Sequence, residues 1–249
     1  MLGRFTVVLV LLSSLLFSKS INIAVAANVS YAIEELVKEF NKTYPDIKVR
    51  VTLGSSGKLT AQIKNGAPLE IFMSANMKYP QSLYKDKIAT TKPVIYARGT
   101  LAYLSIKRQD FSKGMKLLED KHIRVIAVSN PKTAPYGVAA MEALKNAKVL
   151  EKVKHKFVYG ESVSQTLSYS VTAADIGLVA KSSLFSPRMS RFKKDINWFD
   201  VDKRLYRPID QGIVIIRDAK SKSEVKAFYD FILDSKAKKV FEDFGYIVP

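Results

Sequence analysis

Ile21-Asn22-Ile23-Ala24-Val25-Ala26-Ala27-Asn28, followed by Ile47 to Leu53 and then Gly54-Ser55-Ser56-Gly57, is the stretch that decides the fold. The first six residues form a short apolar run of the kind found in strands covered on both faces. Asn28 and Ser30 are helix-start residues. Beyond them Ile33, Leu36, Val37 and Phe40 share one helical face. Tyr44-Pro45-Asp46 ends that helix, because proline cannot continue it. Ile47 to Leu53 alternates as a second strand and runs into the Gly-Ser-Ser-Gly turn, from which a short helix carries Leu59 and Ile63 and stops at Gly66. Gly54 and Gly57 permit a tight turn there.

Working outward, the same strand-then-helix alternation recurs. Ile71-Phe72-Met73 reads as a strand, and Val94 to Ser105 as extended chain broken at Gly99. Ile123 to Ala127 is a strand, and Gly137 opens a helix with Val138, Met141 and Leu144 inward. Lys156 to Tyr159 is a strand, and Ser162 or Ser164 caps a helix carrying Val163, Leu167 and Val171. Ile176 to Ala180 and Gly212 to Ile216 are strands, and Ser223 to Phe244 is helical. Repeated β-α-β units predict an α/β protein with mixed, mostly parallel sheets covered by helices. Extended stretches near 97–103 and 205–211 predict two crossings between lobes. The expected division is a first lobe of 21–98 plus 209–249 and a second of 99–208, with a ligand cleft between them.

Composition narrows the function. The 249 residues are 47% hydrophobic and 25% charged, enough apolar material for a core and a balance that excludes disorder. With no cysteine, disulfides, thiolate metal sites, thiol nucleophiles and a lipidated N-terminal cysteine are all excluded. His122 and His155 each stand alone, which leaves zinc and Ser-His-Asp chemistry poorly supplied. The net charge of +17 is spread along the chain rather than gathered into a stripe, so nucleic acid is not the expected partner. Arg4, the apolar run Phe5 to Phe17 and the small residues of Ser18-Lys19-Ser20 form the pattern of a secretory signal over residues 1–20. The run is too short to span a bilayer. The expected product is an exported, soluble, periplasmic protein, monomeric and not a lipoprotein.

Four places join a strand end to a helix start through small or polar residues: Ala27-Asn28, Ser55-Ser56, Pro135-Tyr136-Gly137 and Ser162-Val163-Ser164. First-turn N–H groups have no intrahelical partner, and the helix dipole adds partial positive charge. Such ends bind anions, and in parallel α/β structures they gather at the carboxyl ends of the strands. No carboxylate lies inside the four junctions. Donors alone suit a fully ionised dianion such as molybdate, tungstate or sulfate, whereas hydrogen phosphate brings a proton that needs an acceptor. Glu161 and Lys58 lie nearby and are expected to face solvent.

At these residues the chain resembles the periplasmic molybdate-binding proteins of molybdate ABC importers, two-lobed type II periplasmic binding proteins. The resemblance rests on Ala24 to Ser30, Gly54 to Leu59, Gly66-Ala67-Pro68 with Ile71 to Ala75, Asn130-Pro131 to Tyr136-Gly137, Ile176 to Val179, Val225 to Tyr229 and Phe241 to Tyr246. It implies a binding protein, not an enzyme, that delivers molybdate or tungstate to an inner-membrane permease with a cytoplasmic ATPase; sulfate or another tetrahedral oxyanion is the alternative. It implies no cofactor, and molybdenum held only as its oxyanion, with no direct protein ligand to the metal. By resemblance Asn28 binds through its amide and backbone N–H, Ser56 through its hydroxyl and N–H, and Val163 through its N–H, with Ala27 and Ser55 completing the set. Ala180 stands where some members supply a tyrosine, a loss that Tyr136 makes good from the opposite helix.

Overall fold

The computed structural model describes residues 19–216, 219 and 221–249. The signal-peptide reading lies outside them except for Lys19 and Ser20, which open the first strand. The chain runs β1 (Lys19–Ala26), α1 (Ile33–Asn41), β2 (Ile47–Gly54), α2 (Ser56–Lys64), β3 (Ile71–Ser74), α3 (Lys78–Lys85), β4 (Val94–Gly99) and β5 (Leu101–Leu104). It continues through β6 (Ile126–Ser129), α4 (Pro135–Asn146), α5 (Leu150–Val153), β7 (Phe157–Gly160), α6 (Val163–Thr172) and β8 (Ile176–Ala180). Last come β9 (Trp198–Asp200), β10 (Ile209–Ile215), α7 (Ser223–Leu233) and α8 (Ser235–Asp243).

The strands form two five-stranded sheets of the same pattern, β2-β1-β3-β10-β4 and β7-β6-β8-β5-β9. In each, the first three strands pair in parallel and the fourth runs against its neighbours on both sides. Register positions the junctions. Ala26 lies opposite Gly54 and Val25 opposite Met73, so β1, β2 and β3 end at one level and deliver Ala27, Ser55 and Ala75 side by side. Ser129 lies opposite Gly160 in the second sheet and aligns the other two junctions likewise.

The chain leaves the first sheet at Gly99 and enters the second at Leu101, with only Thr100 between. It returns at Ile209, which pairs with Gly99, so both crossings run together. The first sheet is sealed by Ile21, Ile23, Leu36, Phe40, Phe228 and Phe241 on one face and by Leu59, Phe72, Leu83 and Val214 on the other. A third buried cluster, centred on β5, β6 and α4, reaches across to Ala27 and Ala75 of the first sheet.

Several expected boundaries moved for identifiable reasons. α4 begins at Pro135, not Gly137, since proline at the first helical position is pre-set for the turn; Val138 then points outward and is 38% exposed. β6 begins at Ile126 rather than Ile123, because the Arg124 and Val125 N–H groups donate to the Asp175 carboxylate instead of a ladder. The C-terminal helix is two helices: Asp234 is extended and its carboxylate accepts the Ala237 N–H, capping α8. α3, whose Pro80 and Leu83 are buried, and the 3-10 segment Phe111–Glu119 carried no signal that the sequence reading picked up.

Candidate functional site

β1 ends in a 3-10 turn, Ala27–Val29, that buries Asn28. The Asn28 Nδ2 donates to Gln211 Oε1 at 2.8 Å and to the Tyr246 hydroxyl at 3.0 Å. Its carbonyl accepts from the Tyr246 hydroxyl at 2.8 Å and from Ser182 Oγ at 3.1 Å. β2 runs into Ser55, whose extended backbone starts α2 without a side-chain cap. Ser56 Oγ accepts the Ala75 N–H at 2.9 Å, which leaves the Ser56 hydroxyl proton free to donate. Among the described residues, Asn28 Oδ1, Ser55 Oγ and Thr100 Oγ1 are buried with no hydrogen-bond partner. Native structures rarely leave such groups unmatched; Asn41 Oδ1 at the end of α1 is also without a partner, but Asn28 and Ser55 follow strands that end at one level, and a bound molecule there would satisfy both.

The second sheet supplies the other half. Tyr136 stands in the first turn of α4, 2% exposed, with its hydroxyl 3.5 Å from Gln211 Nε2. Its ring packs where Gly99 has no side chain: a Cβ there would lie 1.9 Å from the Tyr136 hydroxyl. Ser162 caps α6 by accepting the Gln165 N–H, and Val163 is the first helical residue.

The four junctions come together. Ser164 Oγ donates to the Ala27 carbonyl at 2.9 Å and lies 3.3 Å from Ser30 Oγ. The Gly57 N–H donates to the Thr133 carbonyl at 3.0 Å, a backbone contact that glycine alone permits, since a Cβ would press on Thr133 Cα at 3.0 Å. Ala27, Ala75, Tyr136, Val163 and Ala180 belong to one buried cluster. Lys58 and Glu161 are exposed, as the sequence suggests, but they pair with each other at 2.5 Å across the two sheets rather than facing the junctions.

The surroundings are polar but uncharged. Burial, reinforced by neighbouring phenols, holds the Tyr136, Tyr96 and Tyr246 hydroxyls well above the usual phenol range, so they remain protonated. The N–H groups of Ser56, Tyr136 and Val163, at the starts of α2, α4 and α6, together with the Ser56 hydroxyl proton, suit the holding of an anion through neutral donors. His122 contacts Gln109 at 3.1 Å, remote from the junctions, and His155 sits on the 3-10 turn Lys154–Lys156. Among the described residues no group of three or more His, Asp or Glu could hold a metal ion. A cleft of about 1210 Å³ opens elsewhere, between Tyr103, Phe111, Phe199 and Asp202, and none of the six predicted residues lines it.

Sequence reasoning missed Gln211, Tyr246 and Ser182, the buried groups that hold Asn28, and Tyr96, which holds Gln211. The one available signal was Gln211 itself, a polar residue just before the apolar run Ile213 to Ile215 of β10. The other three are recognisable only once the chain has folded.

Comparison with known proteins places this geometry. Residues 21–247 match the family described as bacterial extracellular solute-binding protein. The chain is similar to the molybdate-binding protein ModA of Azotobacter vinelandii, 31% identical over 91% of this chain and 89% of the relative. It is 32% identical to molybdate-binding protein ModA of Rhodobacter capsulatus, over 90% and 86% of the two chains. The solved periplasmic molybdate-binding protein of Azotobacter vinelandii superposes with a TM-score of 0.84, covering 92% of this chain and 99% of that one. No helix among the described residues is long and apolar enough to cross a membrane.

Proposed function

Since this chain belongs to the bacterial extracellular solute-binding proteins, we propose that it captures molybdate or tungstate and delivers it to the membrane permease of an ABC importer. The carrying observation is the convergence of four strand-to-helix junctions from two sheets on one buried, uncharged, donor-rich place. Asn28, Ser56, Tyr136 and Val163, with Ala27 and Ser55, are the residues assigned to the anion, and the molybdenum contacts no protein atom directly. Residues 21–98 with 209–249 form one lobe and 99–208 the other. Closing them over the ion buries it and joins the two surfaces a permease reads. The leader over residues 1–20 exports the chain to the periplasm, where it acts as a carrier without catalysis or cofactor. Support for the ligand comes from the molybdate-binding relatives and from the absence of an acidic residue among the six assigned positions.

Thermal unfolding with molybdate, tungstate, sulfate and phosphate tests the reading. A ligand bound only by the folded state adds RT ln(1 + [L]/Kd), about 2.7 kcal/mol at a hundredfold excess over Kd. The expected result is a large shift with molybdate and tungstate and none with phosphate. A shift with sulfate alone, or with none of the four, overturns the assignment.

A further inference from the structure

Asn28 and Gln211 form two touching carboxamides, and their orientations are coupled. As they stand, Gln211 Oε1 accepts from both Tyr96 (2.8 Å) and Asn28 Nδ2 (2.8 Å), and Gln211 Nε2 is 3.5 Å from the Tyr136 hydroxyl. Both hydrogens of the Asn28 amide are thereby directed into the protein, toward Gln211 and Tyr246, while its Oδ1 is buried without a partner. An unpartnered carbonyl oxygen repels an oxyanion. Turning Asn28 alone does not cure this, because Oδ1 would then meet Gln211 Oε1, acceptor against acceptor.

Turning both does cure it. Gln211 Nε2 then donates to Asn28 Oδ1, and Asn28 Nδ2 is released to an anion. Every other member of the network adapts, because each is a hydroxyl that either donates or accepts. Tyr96 turns its proton to the Ser74 carbonyl, 3.5 Å away, and Tyr136 donates to Gln211 Oε1. Tyr246 turns its proton to Asn28 Oδ1, while Ser182 Oγ, at 3.1 Å, keeps the Asn28 carbonyl satisfied. Gln211 sits two residues into β10 from the return crossing, at the irregularity between Gln211 and Gly212, and so touches residues of both sheets.

We propose that Gln211 is a positioning residue that sets the donor or acceptor polarity Asn28 presents to the oxyanion, the two carboxamides turning together when the ion is captured. This deepens the reading of the site as an oxyanion trap and rests on it. The test is a double-mutant cycle with sodium molybdate as titrant, using Gln211→Met, Asn28→Ala and the double variant, with unliganded melting followed in each. Wild-type binding of molybdate establishes the underlying reading first, so its failure is visible separately. Gln211→Met is expected to weaken binding at least tenfold in the wild-type background and by less than threefold when Asn28 is already alanine. A residue that merely fills space costs the same in both backgrounds, and that result, or wild-type affinity in Gln211→Met, overturns the proposal. Should Gln211→Met not fold, Tyr96→Phe removes the hydroxyl that pins Gln211 Oε1. A severalfold change in affinity present with Asn28 and absent without it supports the coupling, and equal changes in the two backgrounds refute it.

Discussion

Adding a single methyl group at Gly99 separates the stability of the junction from its affinity. In Gly99→Ala the new carbon would lie 1.9 Å from the Tyr136 hydroxyl, 2.9 Å from Tyr136 Cζ and 2.7 Å from Gln211 Nε2. None of these is tolerable, and Tyr136 is 2% exposed in a packed cluster, so its ring must move by more than an ångström at the hydroxyl. Overpacking of this kind costs about 1–3 kcal/mol, and each kcal/mol lowers the melting temperature of a chain this size by about 2–4 °C. Displacing the phenol also withdraws the proton that Gln211 Oε1 accepts in the ion-bound arrangement, a neutral hydrogen bond worth about 0.5–1.5 kcal/mol, which corresponds to roughly a 2- to 10-fold weaker Kd. Combining Gly99→Ala with Tyr136→Phe removes the shortest contact but leaves Cζ close. The double variant should therefore melt higher than Gly99→Ala alone while still binding molybdate weakly. Differential scanning calorimetry with isothermal titration measures both quantities. Gly99→Ala with wild-type melting and affinity, or a double variant that melts no higher than the single one, would refute the reasoning.

Three further outcomes follow from the same geometry. Ser56→Ala leaves the buried Ala75 N–H without its acceptor and deprives the ion of a hydroxyl; calorimetric titration should show binding weakened by about 1.5–3 kcal/mol, and unchanged affinity removes Ser56 from the site. Lys58→Ala breaks an exposed ion pair between the sheets; such pairs contribute about 0–1 kcal/mol, so Kd should rise no more than about fivefold at low salt and less at high salt, and a larger rise means that Lys58 acts on the ion. Burial alone would raise the Asp175 carboxyl, but the N–H groups of Val125 and Arg124, with the charges of Lys107 and Arg124, outweigh it and hold the group below its ordinary value. The stabilisation is therefore present above the unfolded carboxylate value of about 3.9 and is lost as pH falls through it toward the lower folded value. Asp175→Asn should melt below the wild type at neutral pH, with the gap closing under acid; a gap that stays constant from pH 7 to pH 3 contradicts this account.

The α/β class, the order of most strands and the four junctions were all legible in the chain itself, because each depends on local pattern. Apolar runs such as Ile21 to Ala26 mark strands buried on both faces, and a small polar residue after such a run marks a helix start wherever the fold later places it. The breaks that went astray, at Asp234 and at Pro135, were choices between two locally acceptable starts, decided by a cap in one case and a pre-set φ in the other. Tertiary structure alone decided that Asn28, in the turn after β1, would rest on Gln211 from β10 and on Tyr246 near the C-terminus, partners 183 and 218 residues away. It alone decided that Gly99 would make room for Tyr136. Contacts of that span leave no periodic trace along the chain, since their geometry exists only after parallel strands have ended at a common level and the two crossings lie side by side.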